Sequence, residues 1–226
     1  MKEIGQAGVF APRAIFGAQG HSPLITGKRS MFTGIIEKLG RVAEVSPAGP
    51  GKRIRIETDG IRLRVGDSVA IDGTCLTAEG ILPEGFIAYL STETLKRTKF
   101  GRVLRSGYPV NLETPLTPDK FLSGHMVQGH VDAIGILRRL TKRGEEAEME
   151  VEFPQVWGKY LVEKGPVAVD GVSLTVVSIR PRSFTVALVA QTLKATTLGQ
   201  KTPRSLMNLE FDLFAKYVER LLKGAG

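Results

Sequence analysis

Short apolar and polar positions alternate along most of the chain. Arg53-Ile-Arg-Ile-Glu57 and Phe184-Thr-Val-Ala-Leu188 follow a period of two, and Ser68-Val-Ala-Ile71 is a short apolar run. Successive side chains of a strand point to opposite faces, so these segments predict β-strands with a buried face. Asp-Gly, Pro-Glu-Gly and Ser-Gly-Tyr-Pro sequences stand between them as turn signals. Helical periodicity is sparse until Asp212, after which Leu213, Phe214, Tyr217, Val218, Leu221 and Leu222 recur at helical spacing. The pattern predicts an all-β protein with a C-terminal amphipathic helix. Short strands that contain glycines suit small closed barrels, which leave no long edge unpaired.

From Met31 onward the chain repeats itself once. Thr33-Gly-Ile-Ile-Glu-Lys-Leu-Gly40 aligns with Gln128-Gly-His-Val-Asp-Ala-Ile-Gly135, and Ile71-Asp-Gly-Thr-Cys-Leu-Thr77 with Val169-Asp-Gly-Val-Ser-Leu-Thr175. In the same order, Thr94-Leu-Lys-Arg-Thr-Lys-Phe-Gly101 aligns with Thr192-Leu-Lys-Ala-Thr-Thr-Leu-Gly199, and Asn111-Leu-Glu113 with Asn208-Leu-Glu210. One repetition is too few for a solenoid, so the reading is two tandem compact domains. The expected organisation is a leader over 1–30, barrels over 31–118 and 119–210, and a terminal helix over 211–226. The leader carries five glycines, two prolines and no sustained periodicity. It lacks the apolar core of a secretory signal and the amphipathic pattern of a transit peptide.

Composition narrows the function classes. The 226 residues are 42% hydrophobic and 24% charged, as in ordinary globular proteins. The most apolar run, 167–179, is interrupted by Asp170 and Gly171 and is too short to span a membrane as a helix. Cys75 is the single cysteine, which excludes an intrachain disulfide and a thiolate-rich metal centre. His125 and His130 lie five apart, without the i, i+4 spacing of a helical metal pair. The formal charge of +8 raises the question of nucleic acid, but Lys52, Arg53 and Arg55 are followed by Glu57, and Lys142 and Arg143 by Glu145 and Glu146. Such mixed charge reads as solvated strand faces, and the aromatic stacking platforms of a single-strand binder are missing.

Each copy carries Asp-Gly-x-[Cys/Ser]-Leu-Thr on a turn that leads into a strand. Asp-Gly supplies the turn and Leu the core, a purely structural role. Cys75 with Thr77, and Ser173 with Thr175, are small polar residues two apart on one strand face, which suits two similar pockets. The copies differ where Cys75 faces Ser173 and where His130 faces Ile35.

Taken together, Met31-Phe-Thr-Gly-Ile-Ile-Glu37, Gly124-His-Met-Val-Gln-Gly-His130, the paired Asp-Gly-x-[Cys/Ser]-Leu-Thr boxes and the Glu/Gln-Thr-Leu boxes resemble the riboflavin synthase family of the alpha-chain type. The resemblance spans nearly all of 31–224 and implies two six-stranded Greek-key barrels, a homotrimer held by the C-terminal helix, no cofactor, a cytoplasmic location and association with lumazine synthase. It implies dismutation of 6,7-dimethyl-8-ribityllumazine, one molecule giving a four-carbon unit to another, at a site between the first barrel of one protomer and the second of its neighbour. Carried over residue by residue, it places first-barrel contacts at Gly34, Ile35, Ile36, Cys75, Leu76, Thr77, Tyr89, Leu90, Ser91, Thr92, Glu93 and Thr94. Second-barrel contacts fall at Gly129, His130, Val131, Lys164, Ser173, Leu174, Thr175, Val189, Ala190, Gln191, Thr192, Leu193 and Lys194. The reaction needs a proton taken from the methyl at carbon 7 of one lumazine. Imidazoles titrate at about pH 6.5, which suits His130 to that transfer, with Ser173 and Thr175 as hydrogen-bonding partners of the ring. Cys75 is either a nucleophile or a pocket wall. The competing expectation is a non-catalytic lumazine- or flavin-binding protein on the same two barrels.

Overall fold

A computed structural model describes residues 30–224; the leader reading therefore lies outside the described residues except for Ser30. The first repeat forms β1 (Lys38–Ala48), β2 (Gly51–Thr58), β3 (Ser68–Ile71), β4 (Thr74–Leu82), β5 (Gly85–Leu90) and β6 (Pro109–Glu113), with short helices α1 (Thr92–Arg97) and α2 (Phe100–Val103). The second forms β7 (Ala133–Arg143), β8 (Glu146–Glu152), β9 (Pro166–Val169), β10 (Val172–Arg180), β11 (Ser183–Leu188) and β12 (Leu206–Phe211), with α3 (Ala190–Ala195). Each set closes into an antiparallel barrel, ordered β1-β2-β5-β4-β3-β6 and β10-β11-β8-β7-β12-β9. The expected all-β class with two six-stranded barrels and a terminal helix, α4 (Leu213–Gly224), is observed.

Alternation sorts the side chains. Ile54 and Ile56 of β2 point inward with Val42, Phe86, Val110 and Leu112; Val151, Phe184, Val186 and Leu209 do the same in the second barrel. Burying each such side chain contributes roughly 1.5–3 kcal/mol. The repeat extends to irregularities: the register shifts between Val42 and Glu44 and between Ala78 and Gly80 recur between Leu137 and Arg139 and between Val176 and Ser178. These bulges bend the strands enough to close so small a barrel.

The barrels meet at the Asp-Gly turns. Gly73 and Gly171 adopt φ of +72° and +79°, and a Cβ on either would lie 2.7 Å from the backbone nitrogen of the other, so only glycine permits the contact. Around them the bonds are reciprocal. Asp72 Oδ1 accepts from Asn111 N–H, and Asn111 Nδ2 donates to the Asp170 carbonyl; Asp170 Oδ1 accepts from Asn208 N–H, and Asn208 Nδ2 donates to the Asp72 carbonyl. The side-chain carbonyl of Asn208 receives Lys99 N–H, and that of Asn111 receives Thr197 N–H. Lys99, fully buried, breaks this pseudo-twofold: its Nζ lies 2.9 Å from Asp72 Oδ2 and 2.6 Å from Asp170 Oδ2, while its counterpart across the axis is Thr197.

The terminal helix is held to the second barrel through Glu219, which accepts from Tyr160 and Lys159, and through the Lys216–Asp132 ion pair. Its apolar stripe, Phe214, Tyr217, Val218, Leu221 and Leu222, faces away from both barrels and is exposed.

Candidate active site

On β4, Thr74 and Leu76 are buried, Cys75 is half-buried and Thr77 is exposed; on β10, Leu174 is buried, Ser173 is half-buried and Thr175 is exposed. Each box thus presents its small polar pair on one face and its leucine to the core, as strand geometry requires. The residues preceding each barrel form an arm, and the two arms pair with each other through Phe32 and Val127, in both directions. Each arm then crosses to the other repeat's box. The Gly34 carbonyl accepts from Ser173 N–H at 2.8 Å, and the Gly129 carbonyl accepts from Cys75 N–H at 2.8 Å. A Cβ at Gly34 would lie 2.6 Å from Ser173 Cβ, and one at Gly129 2.6 Å from Cys75 Cβ.

This crossing corrects the grouping expected from the sequence. Gly34, Ile35 and Ile36 do not complete the first box: Gly34 sits on Ser173, and Ile36 packs on the second barrel's core. Conversely, the loop that carries Gly129, His130 and Val131 lies on Cys75. The imidazole bonded to Ser173 is that of His125, whose Nδ1 is 2.7 Å from Ser173 Oγ. Burial holds His125 below the ordinary imidazole range, against a weaker opposing pull from Asp212. Burial also pushes the Cys75 thiol up, as does the nearby Glu210, while a hydrogen bond with Ser68 opposes them. A raised thiol pKa disfavours the thiolate that a nucleophile needs.

The remaining expected residues flank the boxes. Tyr89 and Leu90 end β5, Ser91 caps α1 by accepting from Thr94 N–H, and Thr92, Glu93 and Thr94 form its first turn. In the second repeat Val189 precedes α3 without a side-chain cap, and Ala190, Gln191, Thr192, Leu193 and Lys194 lie within it. Lys164 is exposed in a left-handed turn with φ of 64°, its N–H donating to the Val176 carbonyl. A cavity of about 620 Å³, a volume suited to one small-molecule ligand, opens beside Ser68, with Met31, Arg62, Asp67 and Thr114 in its wall.

Sequence reasoning missed His125, Ser68 and two glutamates. His125 sits in the Gly124–His130 motif, but nothing in that motif tells a bonded imidazole from a free one. Glu113 and Glu210 close the aligned Asn-Leu-Glu segments, where the repetition itself was the signal.

The model of the lumazine binding domain matches residues 33–115 and again 128–212. The chain is 41% identical over 203 residues to riboflavin synthase of Mycobacterium bovis, covering 87% of this chain and 100% of that protein. The chain belongs to the riboflavin synthase family. It is also 37% identical over 194 residues to the riboflavin synthase of Actinobacillus pleuropneumoniae, covering 85% of this chain and 90% of that one. A solved structure of LumP complexed with 6,7-dimethyl-8-(1'-D-ribityl) lumazine shares the fold, with a TM-score of 0.71 at 18% identity over 80% of this chain and 99% of that chain. The lumazine binding domain is thus matched once in each repeat. Their first matched residues, Thr33 and Gln128, lie in the crossing arms.

Proposed function

We propose that the protein is a riboflavin synthase that dismutates 6,7-dimethyl-8-ribityllumazine: one molecule gives a four-carbon unit to a second, yielding riboflavin and 5-amino-6-ribitylaminouracil. The observation that carries this reading is the retention of two equivalent boxes, each completed by the other repeat's arm and related by a pseudo-twofold axis. Two like substrates that must meet in opposed orientation need two such pockets, and holding them so supplies much of the rate. A storage or antenna protein needs only one, and neither box has decayed. The polar wall around Ser68 suits the hydroxyls of a ribityl chain. Cys75 serves as a neutral wall, and the exposed His130 on the arm over Cys75 takes the proton from the acidic methyl.

The test is incubation of purified protein with the lumazine, following riboflavin fluorescence and stoichiometric release of the pyrimidine. His130→Ala is expected to lower the single-turnover rate about 10²-fold with lumazine affinity kept, the scale of one general acid–base group. A variant with normal turnover removes His130 from the mechanism, and the parallel His125→Ala variant then shows whether the Ser173-bonded imidazole does the work.

From the resemblance we further propose a homotrimer in which the first barrel of one protomer faces the second of the next, with lumazine synthase as a further partner and the cytoplasm as location; the outward apolar stripe of α4 supports only the part of the helix in holding copies together. Truncation after Asp212, which spares the core residue Phe211, is expected to give smaller species on sedimentation and to lose activity. A truncated chain that keeps its size and turnover assigns the helix to its own protomer alone.

A further inference from the structure

Backbone pairing is only part of what holds the two arms. Glu113, at the end of β6, accepts from Thr33 N–H at 2.6 Å, Thr33 Oγ1 at 2.7 Å and Gly34 N–H at 2.9 Å. Glu210, at the equivalent place in β12, accepts from Gln128 N–H at 2.6 Å, Gly129 N–H at 2.9 Å and His130 N–H at 3.0 Å. Both carboxylates are buried. Three donors converging on one anion, all N–H at Glu210 and two N–H with one O–H at Glu113, make a strong, geometrically exacting clamp. Beyond each clamp the glycine carbonyl docks on the opposite box, so the carboxylate fixes where the next residue, Ile35 or His130, stands.

We propose that Glu210 is a positioning residue for the reaction, holding the His130 loop over Cys75 only while it is a carboxylate, with Glu113 as its counterpart for the Ile35 arm. This rests on the riboflavin synthase reading. A protonated carboxyl keeps one good acceptor oxygen and turns an O–H toward a donor, so the clamp loses at least one of its three bonds. Burial raises Glu210 to about 7, opposed by its bond from Gln128 and by Lys216 of α4. Asp132 adds to the rise and is itself paired with Lys216 at 2.5 Å. From the first barrel the Cys75 thiol faces it, and His130 is on the clamped loop itself. The shift from 4.5 to about 7 has a definite sign: Glu210 contributes stability that is fully present below pH 4.5 and lost as pH rises through about 7. Position and stability therefore move in opposite directions over that interval, as they do where strain is kept for function.

The experiment compares full-length wild type with Glu210→Gln from pH 5.5 to 8.5. At pH 8.5 the kcat of the variant is expected to be about tenfold lower, below the 10²-fold cost of a full ångström of misplacement. At pH 5.5 the ratio closes toward one, because the protonated clamp and the amide are then alike, and KM changes little throughout. A ratio constant over the whole range overturns the proposal, since a structural role alone gives no convergence. Glu113→Gln, whose loop carries no histidine, is expected to raise KM more than it lowers kcat. Amide exchange on the wild type needs no variant. Protection at Gln128, Gly129 and His130, corrected for intrinsic rates, falls between pH 8 and 6 if Glu210 is the clamp, and stays level if it is not. Wild type that makes no riboflavin while those amides still lose protection refutes the activity and leaves the clamp standing.

Discussion

Lys99→Met is expected to destabilise the protein by about 3–5 kcal/mol, the cost of removing one partner from a buried ion pair. On a chain of this size that lowers the thermal midpoint by roughly 6–20 °C. The lysine has no contact with solvent, and the two aspartates that it bridges are buried as deeply. Nζ lies within ion-pair distance of both carboxylates, so one ammonium serves two anions by charge. Burial alone would pull the ammonium's pKa down; Asp170 and Asp72 more than reverse it, and the lysine stays charged. Lys201, 3.3 Å from Asp170 Oδ2, then balances the second carboxylate. In Lys99→Met the aspartates face each other with one cation between them, and each can relieve the repulsion only by binding a proton. The loss is therefore expected to be smaller at pH 5 than at pH 8. Calorimetric melts at the two values check it, and equal losses would show that the lysine acts through packing of its stem.

Gly129→Val is expected to lower lumazine turnover by about 10²-fold, as is Gly34→Val. A left-handed φ of +76° or +75° at a β-branched residue costs on the order of 1–3 kcal/mol of backbone strain. The larger effect is steric: the new Cβ falls 2.6 Å from that of Cys75 or Ser173, and the arm must lift from the box. Lifting it moves His130 or Ile35 by an ångström or more, enough to lower the rate by about 10²-fold at that half of the site alone. Because two substrates must be held at once, neither half compensates for the other. Single-turnover rates, with binding measured for each half, test this. A Gly129→Val chain with normal turnover would mean that the arm's seat on Cys75 has no part in the chemistry.

The barrels were legible because alternation, Asp-Gly turns and a twofold repeat all point to the same architecture. The terminal helix was legible from its stripe. The short helices α1 and α3 were not, since six residues complete too few turns for a period to show. Lys99 stood in the alignment opposite Thr197, but a lysine after a polar run reads as solvated, because lysines are almost never fully buried unless paired. Its partners come from a turn in its own repeat and from the matching turn of the other, a pairing that no local pattern announces. The arms escaped for the same reason. Glycine marks a close approach without saying to what, and nothing near Gly34 along the chain points to Ser173 in the other repeat.

The crossing arms also set an order of events during synthesis. Thr33 and Gly34 leave the ribosome early, yet their seat on Ser173 does not exist until most of the second barrel has followed. At roughly 5–20 residues per second, the stretch from Glu113 to Ser173 takes on the order of 3–12 s to appear. Through that interval the first barrel can close on itself, and Glu113, at its last strand, already holds Thr33 and Gly34 from within. The nascent first domain is thus left with its arm tethered but unseated and the backbone N–H of Cys75 without the Gly129 carbonyl that later accepts from it. Contacts as distant as Asn208 to Asp72, 136 residues apart, close last. Such non-local closure is slow, and it exposes apolar Phe32 and Ala70 while it lasts.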